Sequence, residues 1–115
     1  MAAFTITDLN PKKATIKPGG KITLKYKITG DKNTPVKITY TLSPDNNVML
    51  KKGGTKDKKY SYSTTLTNPP ETISDEFEII KEGDKPNASW DEIDIEVINE
   101  NDHNKDTATF TVNFS

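Results

Sequence analysis

Apolar side chains alternate with polar ones along most of this chain, and this period of two constrains its fold more than any other feature. From residue 21 to residue 29 every second residue is apolar, and the residues between are Lys or Thr. Successive side chains of a β-strand point to opposite faces, so such a segment has one apolar and one polar face. No segment keeps the three- and four-residue apolar spacing of an amphipathic helix. The sequence therefore predicts an all-β protein.

Clusters of Gly, Pro, Asn and Asp, for example at 44–47 and 83–87, separate the alternating segments. They recur roughly every 8–12 residues, which is typical of a β-sandwich or barrel. The predicted strands lie near 3–8, 13–17, 21–29, 35–43, 48–51, 59–67, 73–80, 90–98 and 107–114. The first two can form one broken edge strand, because Pro11 has no amide to donate to a ladder.

Two antiparallel sheets packed face to face would bury all of these apolar faces together. We therefore expect residues 1–115 to form one immunoglobulin-like antiparallel β-sandwich of roughly seven to nine strands. One strand is unusual, because Asp75 falls in the register of the apolar residues Ile73, Phe77 and Ile79. Burial of a carboxylate is costly, so we expect that end of the strand to be open to water.

Charge composition limits the classes of function. The chain has 16 basic and 17 acidic residues, a formal net charge of -1, and Lys as its only basic residue type. Lysine lacks the planar fork with which arginine grips phosphate or guanine, so we expect no nucleic-acid binding. No apolar run reaches the length of about 18 residues that predicts a membrane span. There is no Cys, and the first residues lack a signal-peptide pattern.

Three stretches resemble a known family. FTITDLNPKKATIKPGGKITLKYKITG, residues 4–30, is similar to the opening of the CARDB-like, cell-adhesion-related family of bacterial immunoglobulin-type domains. ITYTLSPDNNV, residues 38–48, and VINENDHNKDTATFTV, residues 97–112, resemble its second and third signatures. The resemblance implies a non-enzymatic structural or adhesion module of a larger secreted or cell-surface bacterial protein. Its partners would be neighbouring domains or a surface partner, and no catalytic residue is carried over.

Residues 99–106 contain the candidate metal ligands. Asp102-x-Asn104-x-Asp106 matches the first half of a calcium-binding loop, in which alternate side chains point at the ion, and Glu100 lies beside it. The glycine and the closing glutamate of such a loop are missing. Asn and Asp also favour turns, because they hydrogen-bond their own backbone. A turn is the preferred interpretation, and a weak calcium site is the alternative.

The loop at 30–34 should lie at the same end of an immunoglobulin-type sandwich as this acidic stretch. Asp31 and Asn33 are therefore candidate ligand-binding residues, since rigid scaffolds place recognition on their loops. Tyr60 and Tyr62 share one face of a predicted strand and could stack on sugar rings if exposed. A core position with the hydroxyls at the rim is the preferred interpretation.

These candidates leave two alternatives to the structural module. One is a carbohydrate-binding module, with or without calcium, and the other is an assembly subunit of a phage or surface layer that binds through an edge strand. An enzyme is the least favoured class, because the single histidine, His103, has no nucleophile or orienting group near it in sequence.

Overall fold

The computed structural model describes residues 4–10, 12–17, 19–43, 48–81 and 90–114. Its ten strands are β1 (Thr5–Thr7), β2 (Lys13–Ile16), β3 (Lys21–Thr29), β4 (Thr34–Leu42), β5 (Val48–Lys52), β6 (Thr55–Asp57), β7 (Lys59–Leu66), β8 (Glu71–Lys81), β9 (Trp90–Asn99) and β10 (Lys105–Phe114). Each predicted strand has a counterpart, and β6 is an additional short strand that forms a hairpin with β5. The turns predicted at 44–47 and 83–87 lie outside the described residues.

The strands form two five-stranded sheets, and the predicted sandwich is confirmed. Sheet 1 has the order β1–β3–β8–β5–β6 and is antiparallel throughout. Sheet 2 has the order β2–β10–β9–β4–β7 and is antiparallel except for the parallel pair β2–β10. The predicted broken edge strand is divided between the sheets, since β1 lies in sheet 1 and β2 in sheet 2.

The core lies between the sheets and follows the alternation in the sequence. In β3 the apolar side chains point inward and are buried, whereas most of the intervening Lys and Thr side chains are exposed. The largest fully buried side chains include Tyr26, Tyr40, Phe77 and Phe110. In the part of the chain that the structure describes, no helix is long and apolar enough to cross a membrane.

The two ends of the sandwich carry opposite ends of the chain. We call one of them the loop end, because it is formed by the loops 30–33 and 100–104. β1 begins there, since its first residue pairs with Thr29 at the end of β3. β10 runs from the loop end to the far end, where it lies beside Trp90, the first residue of β9. The described chain therefore enters at the loop end and leaves at the far end.

Candidate functional site

The two loops of the loop end lie together, as the sandwich topology predicts. The Glu100 amide of one loop donates a hydrogen bond to the Pro35 carbonyl beside the other, at 2.9 Å. Asp31 and Asn33 are both exposed at this end. Asn33 has a φ of 66°, a left-handed conformation that Asn adopts more readily than most residues. These two side chains remain predicted ligand-binding residues.

The second loop is held by hydrogen bonds within its own turn. Asp102 accepts from the Asn104 backbone amide at 2.9 Å and from the Asn104 side-chain amide at 3.1 Å. The side-chain oxygen of Asn99 accepts from the Asn101 amide at 2.9 Å. His103 is exposed and has a φ of 63°. This is the local bonding by which Asx residues stabilise turns.

Asp106 contacts a different part of the fold. Its Oδ2 accepts a hydrogen bond from the Ile6 amide at 2.7 Å, which attaches β1 to β10. The side chains of Asp102 and Asn104 bond each other instead. Among the described residues, no group of three or more His, Cys, Asp or Glu side chains is placed to hold a metal. The turn stays the preferred interpretation of these residues, and a weak calcium site that includes Glu100 stays the alternative.

Tyr60 and Tyr62 lie on the inner face of β7, and both are half-buried. Their ring centroids are 6.0 Å apart at a tilt of 53°. Tyr60 also meets the ring of Phe77 edge-on, with centroids 5.5 Å apart. Both rings pack against the core. Their contacts are therefore those of core side chains at the rim, and a role in sugar binding stays a prediction.

A buried polar cluster in the core was missed by sequence reasoning. Tyr40 and Tyr62 donate hydrogen bonds to Oδ2 of Asp75, the latter at 2.6 Å. The hydroxyls of Tyr26 and Tyr40 lie 2.8 Å apart. The expectation that Asp75 faces water is wrong, because only 8% of this residue is exposed. Tyrosine hydroxyls from sheet 2 take the place of water as donors to the carboxylate.

The cluster keeps its phenols protonated. Burial raises the pKa of Tyr26, Tyr40 and Tyr62 well above the ordinary value of 10.0, and the Asp75 carboxylate raises the pKa of each further. A nearby negative charge disfavours phenolate, and a hydrogen bond donated to a carboxylate requires the protonated phenol. The hydroxyls therefore act as permanent donors at neutral pH, and the cluster is a hydrogen-bonded link between the two sheets.

No family model matches the chain, and no curated protein sequence matches it. Among solved structures, the chain is similar to the apo form of the Calx CBD1 domain, with a TM-score of 0.51, 14% identity and 97% of each chain covered. It is also similar to PapD-like domain 7 of human CEP192, with a TM-score of 0.49 and 16% identity over 96% of this chain and 83% of that one. A chain of the CaDoc0917–CaCohA2 complex at pH 5.5 gives a TM-score of 0.46 and 12% identity over 100% of both chains.

Identities this low bear on the fold alone, and of these three structures the CBD1 domain has a TM-score above 0.5. Together with the two packed sheets, that comparison shows an immunoglobulin-like β-sandwich. Membership of the CARDB-like family remains a proposal based on the resemblance in sequence.

Proposed function

We propose that this chain is a non-catalytic structural module of a larger bacterial cell-surface or extracellular protein, in which it acts as a rigid, load-bearing spacer. The sequence resemblance to adhesion-related domains supports the setting. The placement of the terminal strands supports the mechanical role, because the described chain enters at the loop end and leaves at the far end. Tension along the chain would therefore pass lengthwise through the sandwich.

The observation that carries the proposal is the parallel pairing of β2 with β10. Four residue pairs join the strands, from Lys13 opposite Thr111 to Ile16 opposite Phe114. Tension pulls β2 towards the loop end and β10 towards the far end. Because the two strands would slide past each other, their hydrogen bonds are loaded together in shear. Bonds loaded together resist more force than bonds opened one after another.

A second contact, between β1 and β10, would carry the same tension along the chain. The hydrogen bond from the Ile6 amide to Asp106 joins β1 to β10 at 2.7 Å. β1 also pairs antiparallel with β3, where Ile6 lies opposite Ile28. Pulling on the beginning of the chain therefore strains contacts to both sheets before the core is exposed.

Single-molecule force spectroscopy tests the proposal, with the chain held between reference domains and pulled through its two ends. The Thr111 amide donates to the Lys12 carbonyl at 2.9 Å. Since bonding positions alternate along a parallel ladder, the Ala14 amide faces β10 and the Thr15 amide faces away. Ala14→Pro should therefore lower the unfolding force, and Thr15→Pro should leave it close to that of the unmodified chain.

The matched prolines separate loss of the β2–β10 bonds from a general effect of proline in an edge strand. Equal unfolding forces for the two variants would contradict the proposal. The unmodified chain should also unfold at a higher force when it is pulled through its two ends than when it is pulled so that β10 peels away from β2 and their hydrogen bonds open one after another. Equal forces in these two pulling directions would contradict the proposal as well. Circular dichroism should first show that both variants keep the β-sheet spectrum.

A further inference from the structure

β7 is an edge strand without the usual protection against pairing. Among the described strands it pairs only with β4, and its eight residues, KYSYSTTL, make it the longest edge. The other edge strands, β1, β2 and β6, span only three, four and three residues. Natural sheets block their edges with short strands, Lys, Pro or bulges. After Lys59, β7 has neither a charge nor a proline.

The outward-facing backbone groups of β7 can be identified. The Leu42 amide donates to the Lys58 carbonyl at 2.8 Å, so these two residues form a hydrogen-bonded pair. Such pairs alternate along an antiparallel ladder, so Tyr60, Tyr62 and Thr64 bond to β4. The amides and carbonyls of the intervening residues point away from β4. These residues are Ser61, Ser63 and Thr65, whose side chains are all exposed.

We propose that β7 is a docking edge for a second copy of this chain. Two β7 strands would pair antiparallel about a twofold axis and join two copies of sheet 2 into one continuous sheet. A dimer of this kind uses the same surface on both copies, so the strand must be complementary to itself. Residues directly opposite each other on paired strands point to the same face of a sheet. The inward residues of one β7, which include Tyr60 and Tyr62, must therefore lie opposite inward residues of the other β7, and this restricts the register. Centred on Tyr62, the pairing sets Ser61 opposite Ser63 of the second copy.

Charge supports a second copy as the occupant. In this register Lys59 lies opposite Thr65 of the second copy, and like charges do not face each other along β7. Lys59 also lies diagonally across from Ser63 of the second copy, within reach of a long side chain. The Ser63 hydroxyl donates to Oε1 of Glu100 at 2.9 Å, which holds that carboxylate beside β7. Each copy would therefore give the other one lysine–glutamate contact.

Shape is compatible with the same arrangement. β5 pairs with β8 only from Glu78 to Lys81, so the β5–β6 hairpin lies towards the far end. A twofold axis reverses the second copy, and its hairpin would lie beside the loop end of the first. The two hairpins therefore do not compete for the same space. An interface of one strand pair is small, and small interfaces form weak, reversible complexes.

Sedimentation equilibrium of the whole chain from micromolar to millimolar concentration tests the proposal. We expect a reversible monomer–dimer equilibrium. Ser63→Pro removes an outward amide without removing a bond to β4, and the twofold axis makes this a loss of two hydrogen bonds. It should weaken the dimer by about tenfold or more. Ser63→Ala removes the same hydroxyl, and with it the bond to Glu100, but keeps the amide. It should therefore weaken the dimer by less than about threefold, since an exposed ion pair contributes little.

A charge exchange provides a second measurement that does not depend on proline. Lys59→Glu should weaken association, and adding Glu100→Lys to it should restore affinity towards that of the unmodified chain. A chain that stays monomeric at millimolar concentration would overturn the proposal. Equal association of Ser63→Pro and Ser63→Ala would also overturn it, provided that both show the native circular dichroism spectrum. If Ser63→Pro does not fold, the charge exchange alone tests the proposal. Failure of the double variant to recover affinity then overturns the proposed β7–β7 pairing.

Discussion

The Tyr62 hydroxyl lies 2.6 Å from Oδ2 of Asp75, so an edge strand of sheet 2 is hydrogen-bonded through the core to the central strand of sheet 1. The Tyr40 hydroxyl donates to the same oxygen. A buried carboxylate without donors would cost free energy, and two phenol donors offset that cost. Hydrogen bonds are directional, so this contact adds orientation to an interface that is otherwise mainly apolar.

Asp75→Ala should destabilise the protein strongly. It removes the shared acceptor and leaves the hydroxyls of Tyr40 and Tyr62 in the core without it. An unsatisfied buried donor costs more than the net value of the bond that it made. We expect the free energy of unfolding, measured by urea denaturation, to fall by about 2–4 kcal/mol.

Glu76→Ala is the matched control for this change. Glu76 is the next residue of β8, is exposed, and forms a surface ion pair with Lys21 at 3.9 Å. Surface pairs contribute little, so its loss should change the stability by about 0.5 kcal/mol or less. Equal losses of stability in the two variants would show that the buried carboxylate has no special part in the fold.

Alkaline pH should unfold the protein as the clustered tyrosines ionise. Burial raises the pKa of Tyr26, Tyr40 and Tyr62 above 10.0 in the folded state. An unfolded tyrosine ionises near pH 10, so above that pH the folded state binds more protons than the unfolded state. The contribution of the protonated tyrosines to the free energy of unfolding is therefore fully present below about pH 10. It falls as the pH rises further, by at most about 1.4 kcal/mol per pH unit for each tyrosine.

A Tyr60→Phe variant makes this measurable, because the chain has 4 tyrosines and the other three belong to the cluster. Phenolate absorbance in this variant should appear together with the loss of the β-sheet circular dichroism signal. Phenolate absorbance that develops while the sheet signal is still native would contradict the expected protonated cluster. Return to neutral pH should restore both signals together.

Much of the fold could be predicted because the buried face of a strand follows from the alternation of apolar and polar residues that are neighbours in the sequence. Ile22 and Leu24 are buried and Lys21 and Thr23 are exposed, as their alternation indicates. Strand pairing is not local, and it could not be predicted in the same way. The predicted broken edge strand is divided because β1 pairs with β3 in one sheet. In the other sheet β2 pairs in parallel with β10, about 100 positions away along the chain.

The tyrosine cluster shows why the candidate site is harder to predict than the strands. An aspartate in an inward register suggests solvent when one strand is considered alone, because a single strand does not reveal donors on another sheet. A signal is nevertheless present in the sequence. Tyr26, Tyr40 and Tyr62 occupy inward positions of three predicted strands, and buried phenols usually need a hydrogen-bond partner. Asp75 is the inward acceptor that can supply one.

Asp106→Ala should loosen β1. The Asp106 carboxylate accepts from the Ile6 amide at 2.7 Å, and β1 is only three residues long. We expect a global loss of about 0.5–2 kcal/mol and a larger loss of hydrogen-exchange protection at the Ile6 amide, measured by nuclear magnetic resonance. Asp94→Ala, on the exposed face of β9, is the control. Unchanged protection at Ile6 would exclude a fastening role for Asp106.

Calcium should leave the melting temperature unchanged at millimolar concentration. A calcium ion needs six to eight oxygen ligands, and the Asp102 carboxylate already accepts two hydrogen bonds from Asn104. Asp106 similarly holds the Ile6 amide, so an ion would have to displace contacts that stabilise the turn and β1. A ligand that binds only the folded state at a hundred times its dissociation constant adds about 2.7 kcal/mol, which a thermal melt detects readily. A calcium-dependent rise in Tm that Asp102→Ala abolishes, and that magnesium does not reproduce, would refute this expectation and establish the calcium-binding alternative.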